Sequence, residues 1–462
     1  MYDVAILGGG ISGLYLANKL LKSDSKKKVV IIEKSREVGG RVETYQDSWM
    51  SVEAGAGRIH SGHKCTLGLI REFGLETKLV EIDNNIRFVG EEGLFEKPPH
   101  VDIMLRVASA SKKMSKESLI GKTLLELSKE VCGEDAAKAA LSSFGYTTEF
   151  LKMNAYDAIA LMGIIAKPQK YFVLGGGLTQ LVERLKARLL SIGCRFEMGR
   201  EVIRIHKGED ELNTIFCDKG DPIQSSRCVC TFPVEDVLRL RISGLESINE
   251  WKRIIKASVY GGSLCRIYSV FPPSDKHPSD KHPSDKHPSD KHPSDKHPSD
   301  KHPSDKHPSD KHPSDKHPSD KDEKPWFAGL GKLTMNNDVR MIIPIDEEKG
   351  VVMISYTDGV IANRWAKLKS EKGMREVNRR LKEIIDEELG VSIPIPKHTR
   401  IFHWSNGVGY WKVGADSAAI EKMATQGLGG MYFCGENYSS KNQQWVEGAL
   451  DTAEIVFRNI KH

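Results

Sequence analysis

Long apolar runs are missing from this 462-residue chain. No stretch approaches the about 18 to 20 uninterrupted apolar residues that a membrane-spanning helix needs, so a membrane partner is not expected. The start, Met1-Tyr2-Asp3, has no basic region, and the apolar run Val4 to Leu7 meets glycine at once, so no secretory leader is expected either. Charge of one sign is also lacking. The 68 Lys and Arg residues and 63 Asp and Glu residues are interspersed, with a net +5 and no basic stripe, which excludes nucleic acid as a partner. Cysteine is scarce: the eight residues show no C-x-x-C pair and no dense framework. They read as buried free thiols of a soluble protein in the cytoplasm or another reducing compartment.

Apolar residues are few as well, at 39%. The deficit is local. Between Pro273 and Lys321 the chain repeats Pro-Ser-Asp-Lys, with histidines from His277 to His317 between the units, and contains no apolar residue. A proline every fifth residue forbids helix and sheet ladders, and nothing there offsets the entropy of ordering, so the tract reads as a disordered, solvated spacer. Its ends are expected close together, because Arg266 to Pro272 and Lys324 to Phe327 read as two parts of one interrupted strand region.

What remains is patterned for two or three domain-sized units. Asp3 to Leu7 is a short buried strand, Gly8 to Gly13 a glycine turn, and Leu14 to Leu21 has apolar residues at helical spacing. Val29 to Ile32 is a second buried strand ending on Glu33. Helical spacing recurs at Cys65 to Phe73, Val101 to Ser111, Leu119 to Val131, Asp135 to Ser143 and Ala362 to Leu389, and a last helix runs from about Val446 to Ile460. Strands are read at Cys194 to Glu197, Val202 to His206, Cys228 to Pro233 and Gly430 to Gly435.

The turn Gly8-x-Gly10-x-x-Gly13, between a strand and a helix, places helix N-terminal amides where a pyrophosphate can sit. Glu33, twenty residues beyond Gly13, is placed to accept both ribose hydroxyls, and an acid there disfavours a 2′-phosphate. An adenine dinucleotide follows, with FAD and NAD both open. Gly39-Gly40-Arg41 adds an arginine fork suited to pyrophosphate.

With these segments, and with Glu53 to Arg58, Gly175 to Leu181, Phe433 to Glu436 and Trp445 to Ala449, the chain resembles the flavin-containing amine oxidases, a family that includes polyamine and L-amino-acid oxidases. The resemblance implies an α/β fold: a doubly wound FAD-binding domain (1–60, 175–235, 398–462) and an interleaved α+β substrate domain (61–174, 236–397) carrying the tract 273–321. It implies noncovalent FAD, since Tyr410 stands where some members carry the flavin-linking cysteine. Gly8, Gly10, Ser12, Gly13, Glu33, Gly40 and Arg41 should hold the dinucleotide. Ala56, Gly57 and Arg58 should lie against the flavin ring, Val202 should touch the adenine, and Gly435, Glu436 and Val446 should approach the ribityl chain and the flavin.

The resemblance further implies hydride transfer from the carbon of a small amine to FAD, with oxygen reoxidising the flavin to give hydrogen peroxide. Trp411 and Trp445 match the two walls of the amine site. Arg266 falls where the family usually has a lysine that bonds a water beside the flavin; a guanidinium there either remodels the water site or slows the reaction with oxygen. Arg58 matches the arginine that pairs with a substrate carboxylate in the amino-acid oxidases, which leaves an L-amino-acid oxidase open beside a simple amine oxidase. A flavin-binding protein without turnover, recruiting a partner through the tract, is a third reading. His60 and His63 have H-x-x-H spacing but no further ligand pattern, so no metal is expected.

Overall fold

The computed structural model describes residues 1–162, 170–271 and 324–461. The repeat tract 273–321, with its expected disorder, lies outside the described residues.

The strand Tyr2–Leu7 is apolar on both faces, and its alternate residues feed two different cores. Val4 and Ile6 pack with the helices Ile11–Ser23, Thr179–Ser191 and Val446–Lys461. Ala5 and Leu7 face the opposite core, shared with Pro99–Ser111, Leu124–Cys132 and Ile248–Ser258. A strand covered on both sides carries no polar face, which is why its sequence runs apolar without alternation.

This strand sits at the centre of a mainly parallel sheet. Val29–Glu33 and then Arg195–Met198 lie on one side, and Ile223–Cys230 on the other. Ile223–Cys230 changes partner along its length. Its first half pairs antiparallel with Asn213–Cys217, and its last three residues pair parallel with Met431–Phe433. The order reverses beside Tyr2–Leu7, and the carboxyl ends of the parallel strands open there into a crevice.

A second, mixed sheet of seven strands runs in the order His398–Trp411, Val259–Val270, Val351–Asp358, Met341–Asp346, Lys332–Met335, Ile86–Gly90, Gly93–Phe95. It draws on chain segments from both sides of the repeat tract. Residues His398–Trp411 therefore pair in this sheet, while Met431–Phe433 and Val446–Lys461 serve the first. Phe271 and the pair Trp326 and Phe327 flank the tract and pack edge to face, at ring separations of 5.7 and 6.3 Å, so the ends do meet. They meet as side-chain packing, with Trp326 to Gly329 in a turn, and not as one interrupted strand.

Two expected helices are interrupted. Leu119 to Val131 is two helices, Lys116–Ile120 and Leu124–Cys132, because Thr123 and Glu126 form a reciprocal capping box that restarts the helix. Gly359–Leu389 breaks at Gly373, which adopts φ 78°. No helix among the described residues is long and apolar enough to cross a membrane.

Candidate active site

A cavity of about 1090 Å³ lies in the crevice. That volume exceeds a typical small-molecule pocket and suits an elongated ligand. Its wall includes Gly8, Gly10, Ser12, Glu33, Gly40, Arg41, Ala56, Val202, Arg266, Gly435, Glu436, Trp445 and Val446, which the sequence singled out and the fold brings together from across the chain. Gly13, Gly57, Arg58 and Trp411 are not on that wall.

The glycine turn explains itself by geometry. A Cβ on Gly13 would come within 2.3 Å of the Gly8 carbonyl, so Gly13 is needed for close packing of helix on strand. Gly10 is different. It has φ −71° and ψ 171°, open to any residue, and a Cβ built there meets nothing within 4 Å. No protein atom demands glycine at position 10; a group occupying the cavity would. The helix Ile11–Ser23 that starts beside it has no side-chain cap and no acidic residue in its first turn, so its N-terminal amides and dipole are left for an anion.

Glu33 is fixed at its strand end by two backbone donors, the Gly9 N–H at 2.7 Å and the Ser35 N–H at 2.8 Å, one on each carboxylate oxygen. Each oxygen keeps a lone pair for a hydroxyl. Arg41 donates to Glu436 at 2.5 Å and to the Gly407 carbonyl at 2.9 Å. Glu436 in turn accepts from the Gln444 N–H at 2.9 Å and the Gly409 N–H at 3.2 Å. One ion pair thus joins the glycine loop, the strand His398–Trp411 and the turn before the last helix. These residues suit a flavin cofactor: an open space at Gly10, an uncapped helix start, and a fixed carboxylate with lone pairs to spare.

Arg266 extends from the strand Val259–Val270 and donates to the Glu53 carbonyl at 2.9 Å, to the Gly55 carbonyl, and to the Tyr356 hydroxyl at 3.1 Å. Its guanidinium also stacks over the Tyr356 ring at 4.6 Å. Burial works against its charge, but Tyr356 and Tyr268 more than compensate, so the guanidinium is held protonated. This cation is pinned to the backbone of Glu53 to Gly55.

Trp445 is half-buried and lines the cavity. Its ring is set edge to face against His63 at 4.9 Å, tilted to Tyr171 at 6.2 Å, and overlain by the Arg58 guanidinium at 5.7 Å. Arg58 has no hydrogen bond or ion pair among the described residues; beside the indole, its charge acts on the phenols of Tyr146, Tyr171 and Tyr356 and on Lys332. Burial, with His60 adding to it, lowers the His63 pKa to about 3, so this ring is neutral. Its Nδ1 accepts from the His60 N–H at 3.2 Å, and the His60 Nδ1 accepts from the Gly62 N–H at 3.0 Å. Both histidines are thus engaged by backbone.

Trp411 departs from expectation. It is 1% exposed, packed in the core beneath the main sheet, with its indole N–H donating to the Ser439 carbonyl at 3.2 Å. Tyr410 is equally buried and does not line the cavity. The tryptophan of this strand that reaches the cavity is Trp404, its N–H donating to the Ala54 carbonyl at 2.8 Å. Trp404 and Trp411 are an odd number of positions apart and pair with Leu264 and Val259, so strand alternation puts them on opposite faces, and it is the face of Trp404 that meets the cavity. Tyr356, Asn406 and Gln444 also line the wall and were not singled out. Strand alternation alone gave no reason to choose them.

Cys434 is fully buried and bonded to the Ser12 hydroxyl at 3.4 Å, and no cysteine is among the cavity's lining residues. Cys65, Glu447 and Asp451 lie close enough to hold an ion. The Glu447 carboxylate, however, already accepts the Cys65 and Thr66 N–H groups at 2.8 Å each. Burial and the neighbouring acids push the Cys65 thiol up to about 12, so it stays protonated.

Residues 11–460 match the family described as flavin containing amine oxidoreductase. Flavin-dependent L-tryptophan oxidase RebO of Lentzea aerocolonigenes is 23% identical over 99% of this chain and 98% of its own length. An L-amino-acid oxidase of Siganus canaliculatus is 29% identical over 36% of this chain and 33% of its own. Among solved structures, a double mutant of putrescine oxidase superposes with a TM-score of 0.72 at 15% identity, covering 100% of this chain and 99% of that one. A cavity built on a glycine turn, a fixed carboxylate and an aromatic wall, matched along almost its whole length, places the chain: it belongs to the flavin-containing amine oxidoreductase family, enzymes that act on CH–NH groups.

Proposed function

We propose that the protein binds FAD noncovalently and oxidises an amine whose carbon also carries a carboxylate, an L-amino acid. The observation that carries this reading is Arg58: a half-buried guanidinium beside the cavity-lining Trp445, with no hydrogen bond or ion pair among the described residues. A cation kept inside a protein without an acid suits an anionic ligand, and a guanidinium fork matches a carboxylate with two parallel hydrogen bonds. The names of the relatives, L-tryptophan oxidase and L-amino-acid oxidase, agree with this choice.

FAD, when bound, supplies the acceptor for the hydride that leaves the substrate carbon, and oxygen then takes the electrons to give peroxide. The chain's own residues do the rest. Gly8, Gly10 and Ser12 would seat the pyrophosphate on the helix start that Gly13 lets pack closely on its strand, Glu33 would hold the ribose, and Val202 would meet the adenine. Ala56, Gly435, Glu436 and Val446 would border the flavin, with Gly57 next to Ala56 in the chain, and Gly40 and Arg41 would hold the pyrophosphate side. Trp445 forms a wall that strips water from the amine, and Arg58 fixes the carboxylate. As the nitrogen lone pair forms the C=N bond, the C–H pair departs with the hydride, leaving an iminium that water hydrolyses.

Anaerobic mixing with a panel of amino acids and matched decarboxylated amines tests this. Amino acids should bleach the flavin band, and Arg58→Lys should raise their apparent binding constant about ten-fold or more while leaving simple amines nearly unchanged. Equal bleaching by the amines in both proteins would favour the broader amine oxidase. No bleaching by any compound would leave a flavoprotein without this turnover.

A further inference from the structure

The cavity wall holds a phenol that the reaction above does not use. Tyr356 lies on the strand Val351–Asp358, directly across from Arg266 in the antiparallel register. Its hydroxyl accepts from the Arg266 Nη2 at 3.1 Å, and the same guanidinium stacks over its ring at 4.6 Å. Tyr146 packs edge to face on it at 5.2 Å. The phenol oxygen is therefore placed beside one fixed cation and a neighbouring phenol, within the field of a second cation, Arg58.

These surroundings stabilise an anion on that oxygen. The titratable neighbours, element by element, are Arg266 and Tyr268 from the strand Val259–Val270, Arg58 from the segment after Ser51–Glu53, Tyr146 from the turn before Thr148–Leu151, and Tyr410 from His398–Trp411. Burial pushes the Tyr356 phenol up, but Arg266, Arg58 and the hydrogen bonds outweigh it and hold the phenol below the ordinary tyrosine value. Tyr146 goes the other way: burial and then Tyr356 push it well up, so it stays protonated. Tyr410 is likewise pushed well up by burial and by the carboxylates of Glu149 and Asp358, which leaves Tyr356 as the acidic phenol of the group.

We propose that Tyr356 is the proton acceptor for the substrate ammonium, a catalytic residue that prepares the amine for oxidation. This rests on the amine oxidation proposed above. An ammonium has no lone pair with which to form a C=N bond, so one proton must leave before the hydride can. In the step, an N–H bond of the ammonium breaks and an O–H bond forms on the Tyr356 phenolate, with the electron pair left on nitrogen. No oxidant is needed. The neutral amine then loses hydride from carbon as described, and Tyr356 returns its proton to solvent before the next turnover.

The first test needs no turnover. Wild-type protein and Tyr356→Phe are titrated by tyrosinate absorbance, and the difference should show one phenol ionising below the rest of the 12 tyrosines. Identical titrations overturn the proposal. In anaerobic mixing at pH 7, Tyr356→Phe should reduce its flavin on the order of 10²-fold more slowly, the scale of general-base catalysis. The deficit should close at pH above the amine's own pKa, where substrate arrives neutral. A deficit equal at every pH would mark a prop for Arg266 and overturn the assignment. Should Tyr356→Phe not fold, Tyr146→Phe, which removes only the neighbouring hydroxyl, should move the same ionisation upward, and no movement overturns it. If wild type is bleached by no amine or amino acid, the oxidation reading falls by itself, and the absorbance titration still judges Tyr356.

Discussion

Gly10→Ala separates what the fold needs from what the cofactor needs. The backbone at Gly10, φ −71° and ψ 171°, costs alanine nothing, and the added Cβ meets no atom within 4 Å. In the cofactor-free protein the change should therefore be neutral, or stabilising by about 0.4 to 1 kcal/mol through a less flexible unfolded chain. With FAD the methyl would stand where the pyrophosphate approaches the helix start. Losing one hydrogen bond to a charged group there costs about 1.5 to 3 kcal/mol, or roughly 10- to 150-fold in Kd. Gly13→Ala is the contrast: its Cβ would come within 2.3 Å of the Gly8 carbonyl, so the cofactor-free protein itself should lose stability. Thermal unfolding of both cofactor-free variants and a fluorescence titration with FAD measure the two effects. A Gly10→Ala protein that melts several degrees lower without cofactor, or that binds FAD as tightly as wild type, would refute the reasoning.

Trp411→Ala should act as a core truncation, lowering stability by about 3 to 5 kcal/mol in urea unfolding, because its ring is buried and bonded to Ser439. Trp445→Ala should keep flavin content and melting temperature, yet slow anaerobic flavin reduction about ten-fold; loss of flavin instead would make Trp445 a cofactor contact. The pH dependence of stability follows from two buried histidines. Burial lowers His63 to about 3 and His100 to about 4, below the 6.5 of an unfolded chain. The unfolded state then binds more protons on acidification, so their contribution is complete above 6.5 and is lost as pH falls toward the folded values, about 2 kcal/mol each by pH 5. Buried Glu149 and Asp157, pushed up by burial, pull the other way, so the check is the change on mutation: His63→Gln or His100→Gln should lose less urea midpoint than wild type between pH 7 and 5, and an unchanged pH dependence would contradict it.

The first 33 residues were legible because every level agreed there: buried strands without alternation, a glycine turn, helical spacing, and an acid at the next strand end. Motifs as distant as Gly8 and Val446 could be assigned to one site only through the resemblance to a known family. Trp404 and Trp411 could not be sorted that way. They lie on opposite faces of one strand, and which face meets the cavity is set by how the sheet packs against the rest of the chain, a tertiary feature with no local signature. Tyr356 was hidden for a related reason, since its neighbours Arg266, Tyr146 and Arg58 are brought to it by other elements. The helix break at Thr123 was, by contrast, written plainly as Thr-Leu-Leu-Glu, and the apolar spacing on either side of it masked the signal.

The change of partner along Ile223–Cys230 bears on how the chain reaches its native state. The last three residues of that strand wait for Met431–Phe433, some two hundred positions later, and the same late segment brings Glu436 to Arg41 and Trp445 to Arg58. During synthesis at about 5 to 20 residues per second, the central sheet must stand with an unpaired strand end for on the order of ten seconds or more. An exposed strand edge is a template for pairing with other chains, so the nascent protein is most aggregation-prone in that interval. Early flavin cannot fully relieve this, because the cavity that would hold it lacks one wall until the end of translation.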